Sequence, residues 1–233
     1  MVWPRVSFKA LAMVVACAAF VQAAQAQTHY RSRISIGAHA GATMSRIDIS
    51  PSVPQSMLQG YMGAVRVRYA EEKLFGLVAE LGVAQRGWKE KFEDSPLQYH
   101  RRFTYLTLPV MTQIIFGGRR VKCFVNLGPE VSYMVGESNA ANFDYTRPTT
   151  APGWPDIPRQ TEQMVMPVKN KFDYGITGGL GCEFYVQPRH SLTLEVRYYF
   201  GLGNVFPASK ADTFSASRCT SIEAAVGYYF KLK

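Results

Sequence analysis

The sequence predicts an all-β fold, an eight-stranded antiparallel up-and-down transmembrane β-barrel that follows an N-terminal signal peptide. Apolar and polar side chains alternate in segments of about ten residues, the length of a transmembrane strand. Long and short connections alternate between these segments, and the charged side chains of the segments share one face. The mean hydropathy of −0.08, with 47% hydrophobic residues, fits such an alternating chain.

Residues 1–26 have the three parts of a secretory signal peptide in the required order. Arg5 and Lys9 form the basic part, residues 10–21 form the apolar part, and residues 24–26 give an A-x-A cleavage site. We therefore expect the chain to be exported and the barrel domain to span residues 27–233.

The net charge does not indicate nucleic-acid binding. Removal of the signal peptide takes away two basic residues, so the formal charge falls from +9 to +7. Much of what remains lies in short turns such as GGRR and QPRH, where solvation explains it. Because the chain is expected to be exported, we expect no nucleic-acid partner.

The cysteines do not form a disulfide framework, because three remain after cleavage. Cys17 lies in the predicted signal peptide, and its lipidation is an alternative that the continuing apolar stretch argues against. Cys123 and Cys182 fall on the apolar face of neighbouring predicted strands. These two could lie near each other, but we interpret them as small buried apolar side chains.

The first four predicted strands span residues 33–42, 60–69, 75–86 and 104–116. The first alternates isoleucine and alanine, as in RISIGAHAGA, and the second alternates valine with arginine in AVRVRY. The third sets leucine, alanine and valine against glutamate and arginine in LVAELGVAQR. The fourth, TYLTLPVMTQIIF, carries leucine, valine and isoleucine at alternate positions.

The last four predicted strands span residues 121–133, 171–186, 191–200 and 220–230. VKCFVNLGPEVSY and KFDYGITGGLGCEFYV oppose apolar residues to lysine, asparagine, aspartate and glutamate. SLTLEVRYYF and TSIEAAVGYYF repeat the pattern with one or two charges each. Each of the eight segments therefore has one apolar and one polar face.

The connections alternate strictly in length. The short ones are residues 70–74, 117–120 and 187–190. The long ones are residues 43–59, 87–103, 134–170 and 201–219. Outer-membrane barrels have short periplasmic turns and longer outer loops, so we expect both termini in the periplasm of a bacterium.

The polar face carries five basic and six acidic residues, which suits a closed interior that pairs its own charges. This expected interior network consists of Arg66, Arg68, Glu80, Arg86, Lys122, Glu130, Asp173, Glu183, Glu195, Arg197 and Glu223. The opposite face is almost free of charge, as a lipid-facing surface requires, because Arg or Lys costs about 2–4 kcal/mol at the bilayer midplane. The alternative is an exported soluble lipocalin-like carrier, whose apolar face would surround a small ligand.

Five segments in order resemble the PorT-like outer-membrane β-barrel family, and together they extend over residues 30–230. They are ELGVAQRGWK (80–89), YLTLPVMTQ (105–113), NLGPEVSYM (126–134), KFDYGITGGLGCE (171–183) and RYYFGLGNVF (197–206). The resemblance implies an integral outer-membrane barrel and a link to protein secretion of the type IX kind. It carries no catalytic residue over to this chain.

The sequence contains little that points to catalysis. His39, on the inward face of the first strand, has no nucleophilic serine and carboxylate arranged around it. GITGGLG evokes a phosphate loop, but the strand alternation continues through it. We therefore expect no enzyme activity, no metal and no cofactor; a lipid-modifying barrel enzyme that uses His39 remains an alternative.

We expect any specific contact to lie in the loop of residues 135–170 or beside it. The candidate contact residues are Trp154, Tyr145 and Trp88. The leading hypothesis is a non-enzymatic outer-membrane barrel with a structural or accessory role in secretion or surface interaction. Its expected partners are outer-membrane lipid and lipopolysaccharide, and other envelope or secretion proteins.

Overall fold

A computed structural model describes residues 33–70, 74–92, 95–155, 160–208 and 213–232. The predicted signal peptide and its cleavage site lie outside the described residues. Cys17 also lies outside them.

Eight long strands form the fold. They are β1 Arg33–Ser50, β2 Leu58–Ala70, β3 Phe75–Glu90, β4 Tyr99–Gly117, β5 Val121–Ala141, β6 Phe172–Gln187, β7 His190–Gly201 and β8 Ala216–Lys231. Each strand pairs antiparallel with the next, and β1 also pairs with β8, so the sheet closes into a ring. The predicted eight-stranded antiparallel barrel is confirmed.

The remaining elements are short. A two-residue strand, Gln55–Ser56, pairs with β3, and a four-residue helix, α1 (Glu162–Val165), lies in the longest loop. In the described part of the chain, no helix has the length and apolarity needed to cross a membrane.

The two ends of the barrel differ. The short connections β2–β3, β4–β5 (residues 118–120) and β6–β7 (residues 188–189) define one end, here called the turn end. The described termini also meet there, since the Lys231 amide donates to the Arg189 carbonyl and the Leu232 amide to the Ile34 carbonyl. The long connections, residues 51–57, 91–98, 142–171 and 202–215, define the opposite, loop end.

Several strands extend further towards the loop end than the alternation of apolar residues predicts. β5 runs to Ala141 rather than residue 133, and β4 begins at Tyr99 rather than residue 104. The outward residues of these extensions are mostly small or polar, as are Gly136 and Ser138 in β5 and His100 and Arg102 in β4. An apolar pattern marks only the part of a strand that faces hydrocarbon, so it misses this continuation.

The polarity of the barrel is inverted relative to a soluble one. Outward side chains such as Leu81, Val125 and Leu194 are apolar and about half exposed, at 51%, 43% and 55%. The inward side chains of the same strands include buried arginines and glutamates. This arrangement is the reverse of the lipocalin-like alternative and fits a barrel surrounded by lipid.

One irregularity changes the phase of the inward face at the loop end. Tyr105 pairs with Met134, but Thr104 pairs with Gly136, so Val135 is an extra residue in β5. Beyond this bulge, Glu137 lies on the same inward face as its partner Phe103. Without the bulge, the alternation of β5 would direct Glu137 outward.

Candidate functional site: the closed interior and the loop end

The interior nearest the turn end is built around Arg68. Its guanidinium donates to both carboxylate oxygens of Glu183, at 2.7 and 2.9 Å. Ser191 donates to the same carboxylate at 2.5 Å. This two-point ion pair joins β2 to β6 across the barrel, because the two strands are not neighbours in the ring.

Arg197 holds the middle layer together. It donates to both oxygens of Glu80, at 2.6 and 2.7 Å, and to Glu195 at 2.7 and 3.0 Å. Arg66 reaches the other side of Glu195 at 3.0 Å, and the Asn126 amide donates to it at 2.6 Å. The layer is a connected network in which each carboxylate meets at least one guanidinium.

Arg86 forms the third layer with two acidic partners. Its Nη2 lies 2.7 Å from Glu130 and 3.1 Å from Glu223. The guanidinium also lies 3.7 Å from the centre of the Tyr199 ring. Asp173 accepts a 3.0 Å hydrogen bond from the Tyr199 hydroxyl, which attaches this carboxylate to the layer through a phenol.

The structure brings ten of the eleven expected interior charges into the buried inward face. Lys122 is different, since it is only partly buried near the turn end and lies 5.2 Å from the centre of the Tyr185 ring. Glycines give the long side chains room. A Cβ on Gly227 would lie 2.3 Å from the Arg66 guanidinium, and one on Gly179 would lie 2.7 Å from Cγ of Arg197.

His39 belongs to the middle layer and not to an accessible site. Its Nε2 lies 3.4 Å from the Glu80 carboxylate, and the side chains of both residues are about 1% exposed. In the described residues, no group of three or more histidine, cysteine or acidic side chains is placed to hold a metal ion.

An aromatic layer covers the charged layers at the loop end. Trp88 is completely buried there, with its ring centre 5.9 Å from that of Phe103 and 6.0 Å from that of Phe206. The expectation that Trp88 is a contact residue of the outer loops is therefore wrong. Trp88 continues the inward phase of Arg86, so its indole packs inside the barrel.

Arg101 holds the long loop against this aromatic layer. It is not among the site residues expected from the sequence. Its guanidinium lies 2.6 Å from Glu137 and donates to the backbone carbonyls of Gln163 and Met166 at 3.0 and 2.8 Å. Glu90 assists, since its carboxylate accepts from the Gln163 amide at 3.0 Å. The sequence does contain a signal for Arg101. The odd-numbered residues from Tyr99 to Tyr105 continue the inward face of the fourth strand, and Arg101 is one of them.

The other two candidate contact residues lie in the cover itself. Tyr145 packs against Tyr99, with ring centres 5.6 Å apart, and Trp154 packs against Phe92 and Phe143 at 5.8 and 6.0 Å. Both side chains are partly buried in these clusters. Their first role in the structure is to give the 142–171 loop an apolar core of its own.

Basic side chains collect on the outward surface at the loop end. This surface, here called the basic belt, consists of Arg46, Lys89, His100, Arg102 and Arg218. Lys89 and His100 are directly opposite on neighbouring strands, and Arg102 donates to the Gln59 carbonyl at 3.5 Å. Arg46 pairs with Asp48 at 3.1 Å and is about half exposed.

Comparison with known proteins gives a family and a fold. The model of the family described as outer membrane protein beta-barrel domain matches residues 23–207. Among solved structures, the outer membrane protein OprG of Pseudomonas aeruginosa is similar, with a TM-score of 0.53 and 13% identity over 88% of this chain and 98% of that one. At this identity the likeness shows the fold alone.

Two further solved barrels align with this chain over nearly their whole length. Neisserial surface protein A has a TM-score of 0.43 and 13% identity, over 85% of this chain and 98% of that chain. The attachment invasion locus protein Ail of Yersinia pestis has a TM-score of 0.40 and 13% identity, over 84% and 98%. No curated protein sequence matches the chain significantly.

Proposed function

Because the chain belongs to the outer membrane protein beta-barrel domain family, whose members are integral to the bacterial outer membrane, we propose a non-enzymatic barrel that acts at the cell surface and conducts no solutes. The observation that carries this proposal is the closed interior. Three layers of ion pairs and an aromatic layer follow one another along the axis, and the side chains in them are buried. Function then belongs to the loop end and the outward surface.

The proposed orientation places the turn end and both termini in the periplasm and the loop end outside the cell. The length difference between turns and loops supports it, as in other barrels of this type. Protease added to intact cells is expected to cut within residues 142–171 and to leave an epitope tag placed after Lys233 intact. Removal of the tag from intact cells would reverse the proposed orientation.

The closed interior predicts that purified protein in liposomes does not let small sugars pass. Eight strands enclose a space just wide enough for side chains, and here arginine and glutamate fill it. The measurement is liposome swelling in an isotonic sugar solution, with an open porin as the positive control. Swelling of the liposomes at the rate seen with the porin would contradict the proposal of a closed barrel.

The proposed lipid partner is lipopolysaccharide, and the basic belt supports this choice. Its cations lie just beyond the apolar outward surface at the loop end, where the proposed orientation would put anionic headgroups. Each such charge near a membrane surface contributes about 1 kcal/mol, so removing two is expected to weaken binding roughly tenfold or more. Lys89 and Arg102 are the best pair to remove, since they lie on adjacent strands.

The test measures how much lipopolysaccharide co-purifies with the protein in mild detergent. The variant Lys89→Ala/Arg102→Ala is expected to retain much less than the wild type. The matched control, Arg119→Ala/Arg189→Ala, removes two exposed cations from the turn end and is expected to retain the wild-type amount. Equal losses in both variants would mean that net charge, not the basic belt, attracts the lipid.

An accessory role in protein secretion, of the type IX kind, is the second part of the proposal. The resemblance to PorT-like barrels supports it, and the ordered cover of the loop end offers a surface for a protein partner. Isolation of the intact complex in mild detergent is expected to bring other envelope proteins with it. If the host bacterium lacks the type IX secretion apparatus, the secretion role is excluded and only the proposed surface role remains.

The proposal of no enzyme activity depends on where the candidate groups lie. His39, the inward histidine among the described residues, is enclosed beside Glu80 in the middle layer. The lipid-modifying alternative requires that imidazole to meet an acyl chain. His39→Gln is expected to leave the lipid composition of the envelope unchanged, and a change specific to this variant would restore the enzyme hypothesis.

A further inference from the structure

Two of the three described cysteines are directly opposite each other on neighbouring strands. Cys123 of β5 pairs with Cys182 of β6, and their Sγ atoms are 2.7 Å apart. Both side chains are on the outward face and partly buried. The third, Cys219, is buried in the interior, where its sulfur lies 3.8 Å from the Tyr105 hydroxyl.

The hydrogen-bond pattern shows that this is the pairing position at which opposite side chains approach most closely. The Tyr185 amide donates to the Arg120 carbonyl, and the Met134 amide donates to the Lys171 carbonyl. Both bonds place even-numbered residues of β5 in hydrogen-bonded pairs. Cys123 therefore lies in a non-hydrogen-bonded pair, in which the Cα atoms are about 4.5 Å apart.

That spacing lies within the range that a disulfide requires, about 4.4–6.8 Å between Cα atoms. A link between these residues needs no movement of the backbone, because the strands are already in register. Their position is also reachable. Cys123 is the third residue of β5 after the turn at residues 118–120, so it lies near the aqueous rim of the turn end.

We propose that Cys123 and Cys182, which the sequence pattern alone marks as small apolar side chains, form an interstrand disulfide in the mature protein. The oxidant is a disulfide-bearing thiol oxidoreductase of the cell envelope, an oxidising compartment. The Cys123 thiolate attacks the disulfide of the oxidant and releases one of its thiols. The Cys182 thiolate then attacks the mixed disulfide and releases the second.

The balance of this exchange is complete. One sulfur–sulfur bond forms in the barrel, one breaks in the oxidant, and the two protons of the cysteines end on the oxidant's thiols. The result is a covalent link between the two strands that flank the longest loop. Residues 142–171, which cover the loop end, then belong to a closed ring of chain.

The test blocks free thiols in the outer-membrane protein with one alkylating reagent in denaturant, then reduces the protein and applies a second reagent. Peptide mass spectrometry is expected to find the second label on Cys123 and Cys182 and the first on Cys219. The first label on all three residues would overturn the proposal. A link between Cys123 residues of two molecules would overturn it too.

Two variants identify the partner. In Cys123→Ser, the residue Cys182 is expected to carry the first label, and in Cys182→Ser the same holds for Cys123. Cys219→Ser is the matched control, in which the link between the other two is expected to persist. The wild-type mapping decides the proposal by itself if a serine variant does not reach the membrane.

Discussion

Arg197 shows what an interior charge contributes at the scale of one residue. It is the shared partner of Glu80 and Glu195, and its side chain is about 4% exposed. Removing it leaves both carboxylates in an enclosed space with one fewer cation, and Arg66 is the guanidinium that remains beside them. The main loss of stability comes from leaving the buried carboxylates without their guanidinium partner, and not from the lost attraction itself.

We therefore expect Arg197→Met to lower the free energy of unfolding by about 3–5 kcal/mol. The control is Arg46→Met, which removes an ion pair whose side chains are 55% and 44% exposed, and is expected to cost less than about 1 kcal/mol. Urea unfolding in lipid vesicles measures both. Equal effects of the two substitutions would contradict a stabilising interior network.

At the scale of elements, the main device is the attachment of the 142–171 loop to the barrel by Arg101. The guanidinium meets the carbonyls of Gln163 and Met166 on one side and Glu137 on the other. It also lies 5.4 Å from the centre of the Phe206 ring. The loop is thereby held by a charge on a strand, together with α1, whose Gln163 donates to Glu90 and whose Met164 is buried.

Arg101→Met is expected to release this loop while the barrel stays folded. Hydrogen bonds to a charged group contribute about 1.5–3 kcal/mol, so the open population rises about 10- to 100-fold. Limited proteolysis is expected to cut within residues 142–171 correspondingly faster. Arg102→Met, one residue along and on the outward face, is the control, and the same acceleration there would show that Arg101 has no special role.

The sequence predicts the elements better than their ends. Alternation identifies all eight strands, and it assigns Arg68 and Glu183 to the interior because the apolar band fixes their phase. It cannot assign Glu137, since the extra residue Val135 reverses the phase of β5 just before it. Nor does it show which charges pair, because partners such as Arg197 and Glu80 come from strands that are not neighbours.

At the scale of the whole molecule, the outward apolar surface predicts contact with lipid chains. Leu194→Trp places an indole on that surface, whereas the native Trp88 is enclosed by the aromatic layer. Lipids brominated in mid-chain are expected to quench the fluorescence of the variant much more than that of the native protein. Quenching to the same degree in both would contradict the inverted polarity of the barrel.

The way the ion pairs cross the barrel also bears on how it enters a bilayer. Arg66 of β2 meets Glu195 of β7, and Arg86 of β3 meets Glu223 of β8, so the β2–β3 hairpin depends on carboxylates of distant strands, although Arg66 also lies 3.9 Å from Glu80 within it. A hairpin that entered hydrocarbon alone would expose bare ions to lipid. We therefore expect insertion to be concerted, with the sheet curling and its ends joining while it crosses the membrane.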